Sequence, residues 1–412
     1  MKSFNIFGPE FKANPHPVYA DMRAECPLYG RLLADGSTTI WFVTRYADVE
    51  AILRDHQTFV KDLRSTMTEE ELASYPEQPP QIRLLANHMV NMDPPNHTRL
   101  RSLVNKVFTS QRVEALRPRV QAIADELIDQ VASRGRMDLI DEYALPLPIR
   151  VITQLLGIPT ADSRRFHTWS HAFVTSAATT QRSQKKLARA GRMIDDFTSY
   201  MSSLFALRRA EPQDDLISSL LQAEEAGDKL TEEELFSMVI LLVVSGHETV
   251  ANTIGNGMLA LLQYPDQRTR LQADPTLIES AVEEMMRYDG SMERATLRFA
   301  AKDITMGNQT IQRGDAVSLV LGAANRDPEI YNNPDHFDIT RYQAAHCKRH
   351  MGLGWGIHYC LGAQLGRMEV AIAVNTLLQR LPTIALDIEP SNLRWRSIPV
   401  VRSMVHLPVR WS

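Results

Sequence analysis

The sequence predicts a mainly α fold with a minor β part, organised around one long central helix. Three observations predict it. A helix-period run of over thirty residues begins near Thr231. Helical patterns fill most of residues 96–157 and 161–210. Beyond Arg287 the pattern breaks into short strand-like runs separated by turn residues.

Taken in order, residues 15–60 mix a helical pattern with the run Thr39-Ile40-Trp41-Phe42-Val43, whose β-branched and aromatic side chains read as a strand. The stretch Tyr75-Pro76-Glu77-Gln78-Pro79-Pro80 reads as a loop, because each proline fixes φ and removes a backbone donor. Thr231 and Glu234 have capping-box spacing, in which each side chain satisfies the other's backbone N–H. Apolar positions then continue through Leu242, Val243, Ile254, Leu259 and Leu262, roughly 50 Å at 1.5 Å per residue. A helix so long and apolar runs through the middle of a large domain. Turns at Gly307-Asn308 and Arg313-Gly314-Asp315 divide the later strands. A last helix follows Cys360, with Leu361, Leu365, Met368, Ile372 and Leu378 in helical spacing.

The 412 residues carry no internal repeat and no low-complexity linker, so one domain spanning 1–412 is expected. With 44% hydrophobic and 23% charged residues the composition is that of a soluble globular protein, and a net charge of −4 argues against general nucleic-acid binding. Cys26, Cys347 and Cys360 are too few and odd in number for a disulfide framework. The N-terminus lacks an apolar signal segment, and the longest apolar run, Leu235 to Val244, is far short of the ~20 residues that span a bilayer. A soluble, cytoplasmic, monomeric protein is expected.

The most informative residue is Cys360, in the run His350-Met351-Gly352-Leu353-Gly354-Trp355-Gly356-Ile357-His358-Tyr359-Cys360-Leu361-Gly362. Alternating glycines let a backbone approach something flat, and a helix N-terminus favours a thiolate. Such a loop suits the proximal side of a haem iron. The bland alternative is a buried structural cysteine. A zinc site from Cys347, His350, His358 and Cys360 is a second alternative, although Cys-x₂-His and His-x-Cys arms match zinc spacings poorly. In the long helix, Ser245-Gly246-His247-Glu248-Thr249 combines a helix-weakening glycine with a threonine able to bond back and open the helix locally. The bland reading is a close helix crossing at Gly246. Glu284 and Arg287 have the i,i+3 spacing of an ordinary surface pair. His97 and Arg101, four apart, face the same way and could clamp an anion. Residues 99–119 hold Arg99, Arg101, Lys106, Arg112, Arg117 and Arg119 against Glu114 alone, either a solvated face or a docking patch for an acidic partner.

In company and in order these features resemble the cytochrome P450 family of haem-thiolate monooxygenases, in its soluble bacterial form, and the resemblance runs essentially end to end. The segment Gly354 to Gly362 is similar to the family's cysteine-ligand signature, Gly246-His247-Glu248-Thr249 to its oxygen-activation motif, and Glu284 and Arg287 to its E-x-x-R pair, with Arg341 as the later arginine that locks it. The resemblance implies a triangular-prism fold whose long helix crosses the distal haem face, haem b as cofactor and Cys360 as axial iron ligand beside Leu353 and Gly354. It also implies propionate contacts from His97, Arg101, Arg298 and His358. Arg298 is preferred to Arg294 because Arg298-Phe299-Ala300 has the family's R-x-A form. Two departures are Leu353, where the family has phenylalanine, and Gly366, where alanine is usual. The leucine would leave the loop looser, and the glycine would weaken its helix slightly.

The resemblance further implies that one atom of O₂ enters a C–H or C=C bond of a lipophilic substrate, with protons relayed through Thr249, Glu248 and water. No reductase segment is present, so electrons are expected from a ferredoxin or flavodoxin with its reductase. Regions matching the family's pocket are 84–90, 166–200, 240–249, 292–296 and 400–404. Met89, Val90, Phe173, Val244, Ser245, Met292, Thr296, Val400 and Val401 are the lining candidates. Their apolar character suits a sizeable molecule such as a polyketide or macrolide. A peroxide-using hydroxylase and a non-catalytic haem-fold module that binds a partner or carrier protein are the rival readings.

Overall fold

The computed structural model describes residues 3–412 apart from 34, 35, 37, 78, 79, 179–183 and 226. Gln78 and Pro79 of the expected loop, and residues 179–183 of the second helical stretch, lie outside the described residues. The chain forms two compact units built from interleaved segments: one from 1–68, 120–147 and 249–412, the other from 69–119 and 148–248.

The first unit holds most of the β structure. Its five-stranded sheet runs in the order Leu28–Leu32, Thr39–Val43, Ala316–Leu319, Arg298–Ala300, Phe59–Val60. The pair Thr39–Val43 and Ala316–Leu319 is parallel, and the other three pairings are antiparallel. A buried carboxylate fastens the centre: Asp315 accepts from the Trp41 indole at 2.9 Å and from the Thr39 and Gln312 N–H groups at 3.0 Å each. The expected turn at Gly307-Asn308 is a hairpin between Ile304–Met306 and Gln309–Ile311, with Gly307 at φ 60°. A three-stranded sheet pairs Pro408–Arg410 with Ala385–Leu386 and Arg136–Asp138. The unit's helical core contains Ile278–Tyr288, Ala363–Arg380 and the later half of the long helix. A Cβ added at Gly257 would stand 2.5 Å from Met285 Sδ, so glycine is what allows these two helices to approach there.

The second unit is mainly helical, with one short strand pair, Glu224–Glu225 and Asp228–Lys229. Ser163–Ala178 and Gln184–Ala210 pack through an aromatic cluster in which Phe166, Trp169 and Phe197 meet edge to face at 4.9–6.1 Å. Each such pair contributes about 0.5–1.5 kcal/mol beyond its buried area. The long helix, Glu232–Gln263, opens on the expected capping box: Thr231 N–H donates to Glu234 at 2.9 Å, and Glu234 N–H to the Thr231 hydroxyl at 3.2 Å. Among the described residues it is the one helix long and apolar enough to cross a membrane, and 67% of its most apolar window is buried within the protein.

The basic run at 99–119 is not a continuous positive patch. Arg99 pairs with Asp228 and Glu234, Arg112 with Asp214, Arg117 with Glu114, and Arg119 hydrogen-bonds Gln154 at 2.8 Å. Except for Glu114, these acids are supplied by segments far along the chain, which is why the sequence window alone overstates the charge.

Candidate active site

Three glycines shape the cysteine loop. Gly354 and Gly356 sit at φ 70°, and a Cβ at Gly356 would stand 2.5 Å from the Leu53 carbonyl oxygen. A Cβ at Gly352 would stand 2.9 Å from that of Met286. Several bonds fix the loop. Cys360 N–H donates to Leu353 O at 3.0 Å, Met351 N–H to Asn325 Oδ1 at 2.7 Å, and the Tyr46 and Tyr331 hydroxyls to Arg349 O at 2.7 and 3.1 Å. Cys360 is half-buried, two residues before the N-cap Gly362 of helix Ala363–Arg380. The zinc alternative fails here. His350 is turned onto Glu283 at 3.1 Å, and among the described residues the cluster with metal-ligand convergence is Asp138, Asp141 and His406 instead.

On the long helix, positions 234 to 261 are buried except Leu241, Val244, Ser245, Gly246, Glu248, Thr249 and Asn252. At 100° per residue all of these but Gly246 fall in one arc, so an otherwise buried helix leaves a single stripe open. The backbone is helical throughout, not locally opened as the sequence suggested. Ser245 back-bonds to Leu241 O at 2.5 Å and Thr253 to Thr249 O at 2.8 Å, both within a continuous helix. Gly246 itself marks a close contact, since a Cβ there would stand 3.1 Å from Ile152 Cγ1. His247 is fully buried, with Nδ1 donating to Val243 O at 2.7 Å.

The Glu284–Arg287 pair is no surface pair. Both side chains are 0% exposed, and Arg287 Nε and Nη2 donate to Glu284 at 2.7 and 2.8 Å. Arg341 Nε adds contacts at 3.1 and 3.2 Å to the same carboxylate. The remaining guanidinium N–H groups bind the carbonyls of Asn325, Pro334 and His336 (Arg287) and of Asn332, Asn333 and His336 (Arg341). One carboxylate and two arginines thus pin the strand-free segment at 332–336, which leads toward the cysteine loop.

His97 is buried and Arg101 half-buried on helix Asn96–Val107 of the second unit; Arg298 is buried on its strand, and His358 half-buried on the loop, both in the first. Arg294 is engaged elsewhere: it donates to Ile6 O at 3.1 Å and stacks over Phe42 at 5.0 Å. Of the pocket candidates, Val90, Val244, Ser245, Met292, Thr296 and Val400 keep open surface. Met89, Phe173 and Val401 do not: they are buried at 4, 3 and 8% exposure, and Phe173 packs edge-on against Phe197. Met292 and Val401 form a bridge, which brings two candidate segments together.

The loop itself tests whether these residues suit a haem. Residues 352–362 are all partly or fully exposed although most are apolar or glycine, and a Cβ at Gly362 would meet nothing within 4 Å. An open apolar face around a soft sulfur donor fits a flat apolar macrocycle with iron at its centre. The carboxylate Glu283 and its partners Arg367 and His350 form a network that the sequence did not disclose. Glu283 directly precedes the recognised Glu284, and this adjacency was the one available signal.

A family model described as Cytochrome P450 matches residues 155–392. Cytochrome P450 107B1 of Saccharopolyspora erythraea is 43% identical over 98% of this chain and 96% of its own. Cytochrome P450 monooxygenase PikC of Streptomyces venezuelae is 43% identical over 98% and 92%. The solved structure of the Bacillus subtilis bacillaene polyketide synthase cytochrome P450 PksS superposes with a TM-score of 0.89 at 37% identity, covering 100% of both chains. Relatives of this kind are monooxygenases, so the non-catalytic alternative is set aside. The chain therefore belongs to the cytochrome P450 family, and it is a haem b monooxygenase that uses O₂.

Proposed function

We propose that Cys360 is the axial iron ligand and that the protein oxidises a lipophilic secondary metabolite of the polyketide or macrolide type. The observation that carries the first part is the open apolar loop around a thiol whose backbone is fixed by Leu353. The second part rests on the open apolar surface of Val90, Val244, Met292 and Val400, and on the bacillaene polyketide synthase P450 and PikC as relatives. Haem b, when bound, supplies the iron at which O₂ is activated. His97, Arg101, Arg298 and His358 would hold its propionates by charge and hydrogen bonding. Glu248 and Thr249 lie on the open stripe of the long helix, where Glu248 would take protons from solvent and Thr249 would hand them on through its hydroxyl. The Ser245 hydroxyl donates to Leu241 O beside that stripe. Gly246 keeps the helix close to Ile152, and Glu284, Arg287 and Arg341 hold the segment leading to the ligand loop.

Electrons come from an external redox partner. We propose a ferredoxin or flavodoxin with its reductase, a monomeric protein and a cytoplasmic location, with 1–412 acting as one catalytic domain. The decisive experiment is a screen of macrolides, polyketides, fatty acids and steroids for the low-to-high-spin Soret shift. It is followed by turnover with surrogate redox proteins. Macrolide or polyketide ligands should give the tightest shifts and a mono-oxygenated product. A response confined to fatty acids or steroids would overturn the substrate class, and Cys360→Ala that keeps the red-shifted carbon monoxide band would overturn the ligand.

A further inference from the structure

The cysteine loop lacks the family's phenylalanine and has Leu353 instead, yet it is held at both ends by one carboxylate. Glu283 accepts from Arg367 Nε at 2.5 Å, from Arg367 Nη2 at 2.9 Å and from His350 Nε2 at 3.1 Å. Gly352 N–H donates to His350 Nδ1 at 3.0 Å, which makes Nδ1 the acceptor and puts the imidazole proton on Nε2, facing Glu283. The ring is therefore neutral, as its complete burial favours. At the other end Arg367 Nη1 donates to the Tyr359 hydroxyl at 3.0 Å, and Arg349 stacks over the Tyr359 ring at 4.0 Å.

Two residues bracket the thiolate, and each adjoins one arm of this network. Leu353, whose carbonyl receives Cys360 N–H, follows Gly352. Tyr359 directly precedes Cys360. The carboxylate comes from helix Ile278–Tyr288 and the guanidinium from helix Ala363–Arg380, both well-packed elements. Burial alone would raise the Glu283 carboxyl, but the bonds from Arg367 and His350 outweigh it and hold it at about 2, so the clamp is charged under all ordinary conditions.

We propose that His350, Glu283, Arg367 and Tyr359 form a clamp that sets the position of the Cys360 thiolate, and with it the reduction potential and the persistence of the iron–sulfur bond. They are positioning residues. The proposal rests on Cys360 being the ligand.

The test uses the haem-loaded protein and three readouts: ferric/ferrous midpoint potential, persistence of the red-shifted carbon monoxide band, and thermal unfolding. Tyr359→Phe removes one hydroxyl and is the mild variant; Glu283→Gln removes the central charge. We expect Glu283→Gln to change the oxidised-to-reduced ratio at fixed potential by threefold or more, about 28 mV at 59 mV per tenfold. The red-shifted band should also decay several-fold faster. Tyr359→Phe should move both readouts in the same direction by less. Adding Leu353→Phe to Glu283→Gln should restore part of the loss. A lowered melting temperature with potential and band unchanged in both single variants would overturn the proposal, leaving the network merely structural. Should Glu283→Gln fail to fold, Tyr359→Phe alone decides: a shifted potential and a shorter-lived band support the clamp, and parental values overturn it. If Cys360→Ala keeps the red-shifted band, the ligand assignment falls and the clamp with it. If that band is lost in Cys360→Ala while the clamp variants match the parent, only the clamp falls.

Discussion

Replacing Glu284 with glutamine keeps the shape of the buried triad and removes its only negative charge. The carboxylate accepts from Arg287 at 2.7 and 2.8 Å, from Arg341 at 3.1 and 3.2 Å and from Asp338 N–H at 2.9 Å. Arg287 is 0% and Arg341 11% exposed at the side chain, so water cannot replace the lost charge. Removing one partner of a buried pair costs about 3–5 kcal/mol, because the other charge is left without compensation. The carbonyls of Asn325, Pro334 and His336 still solvate Arg287, which places the expectation near the lower end, at about 3 kcal/mol. An unfolding entropy of about 2.1 cal/mol/K per residue over 412 residues makes each kcal/mol worth about 1.2 °C, so the melting temperature should fall by roughly 3–4 °C. Thermal unfolding followed by far-ultraviolet circular dichroism and Soret absorbance measures it. Glu279→Gln, on the exposed face of the same helix, should stay within about 0.5 kcal/mol. Adding Arg341→Met to Glu284→Gln should recover part of the loss, since one uncompensated guanidinium is removed with the carboxylate. A Glu284→Gln melting temperature no lower than that of Glu279→Gln would refute the reasoning.

Lys12→Met should destabilise by about 1–3 kcal/mol, since it leaves Glu293, 1% exposed, with Arg294 at 3.9 Å and the Tyr19 hydroxyl as its remaining partners; Lys12→Met with Glu293→Gln should recover part of it in a urea titration, and a double variant no better than the single would contradict this. Gly366→Ala should stabilise by about 0.5–1 kcal/mol, because the added Cβ lies at an ordinary 3.6 Å from Val250 Cγ2 within a continuous helix; a lower melting temperature would show the contact to be tighter. Glu283 is held below its unfolded value, so its contribution is complete above about pH 4.5 and is lost as the pH falls toward 2. Acid unfolding of Glu283→Gln should therefore start from lower stability and fall less steeply across that window, and identical slopes would refute it. Thr249→Ala should divert reducing equivalents to peroxide and lower product yield per electron pair; unchanged coupling would make Thr249 structural only.

What the sequence reveals here is local chemistry. The Thr231–Glu234 cap, the Thr39–Val43 strand and the Gly307 hairpin were legible because each depends on a few neighbouring residues. Strand Arg136–Asp138 was not, since its three residues become a strand only by pairing with Pro408–Arg410. The Glu284–Arg287 spacing suggested a surface pair because nothing in three residues of separation tells burial. Neither the Glu283–Arg367 bond, 84 residues apart, nor Lys12–Glu293, 281 apart, leaves a periodic trace. The pairing within the run at 99–119 was hidden for the same reason: the acids that meet Arg99 and Arg112 lie beyond residue 200. The glycine-rich cysteine loop stood out by its motif, whereas the Glu283 network beside it needed three dimensions.

The single open stripe on the long helix also acts as a ruler. From Leu241 to Asn252 it measures about 16 Å along the axis at 1.5 Å per residue, graduated at every turn by one or two side chains. A substrate lying along it would be read by length as well as by polarity. Successive graduations stand about 5 Å apart, the pitch of the helix. On the proposed function, variation at Leu241, Val244 or Ser245 would alter how a substrate is seated while leaving Glu248 and Thr249, the proposed proton relay, unchanged on the same helix.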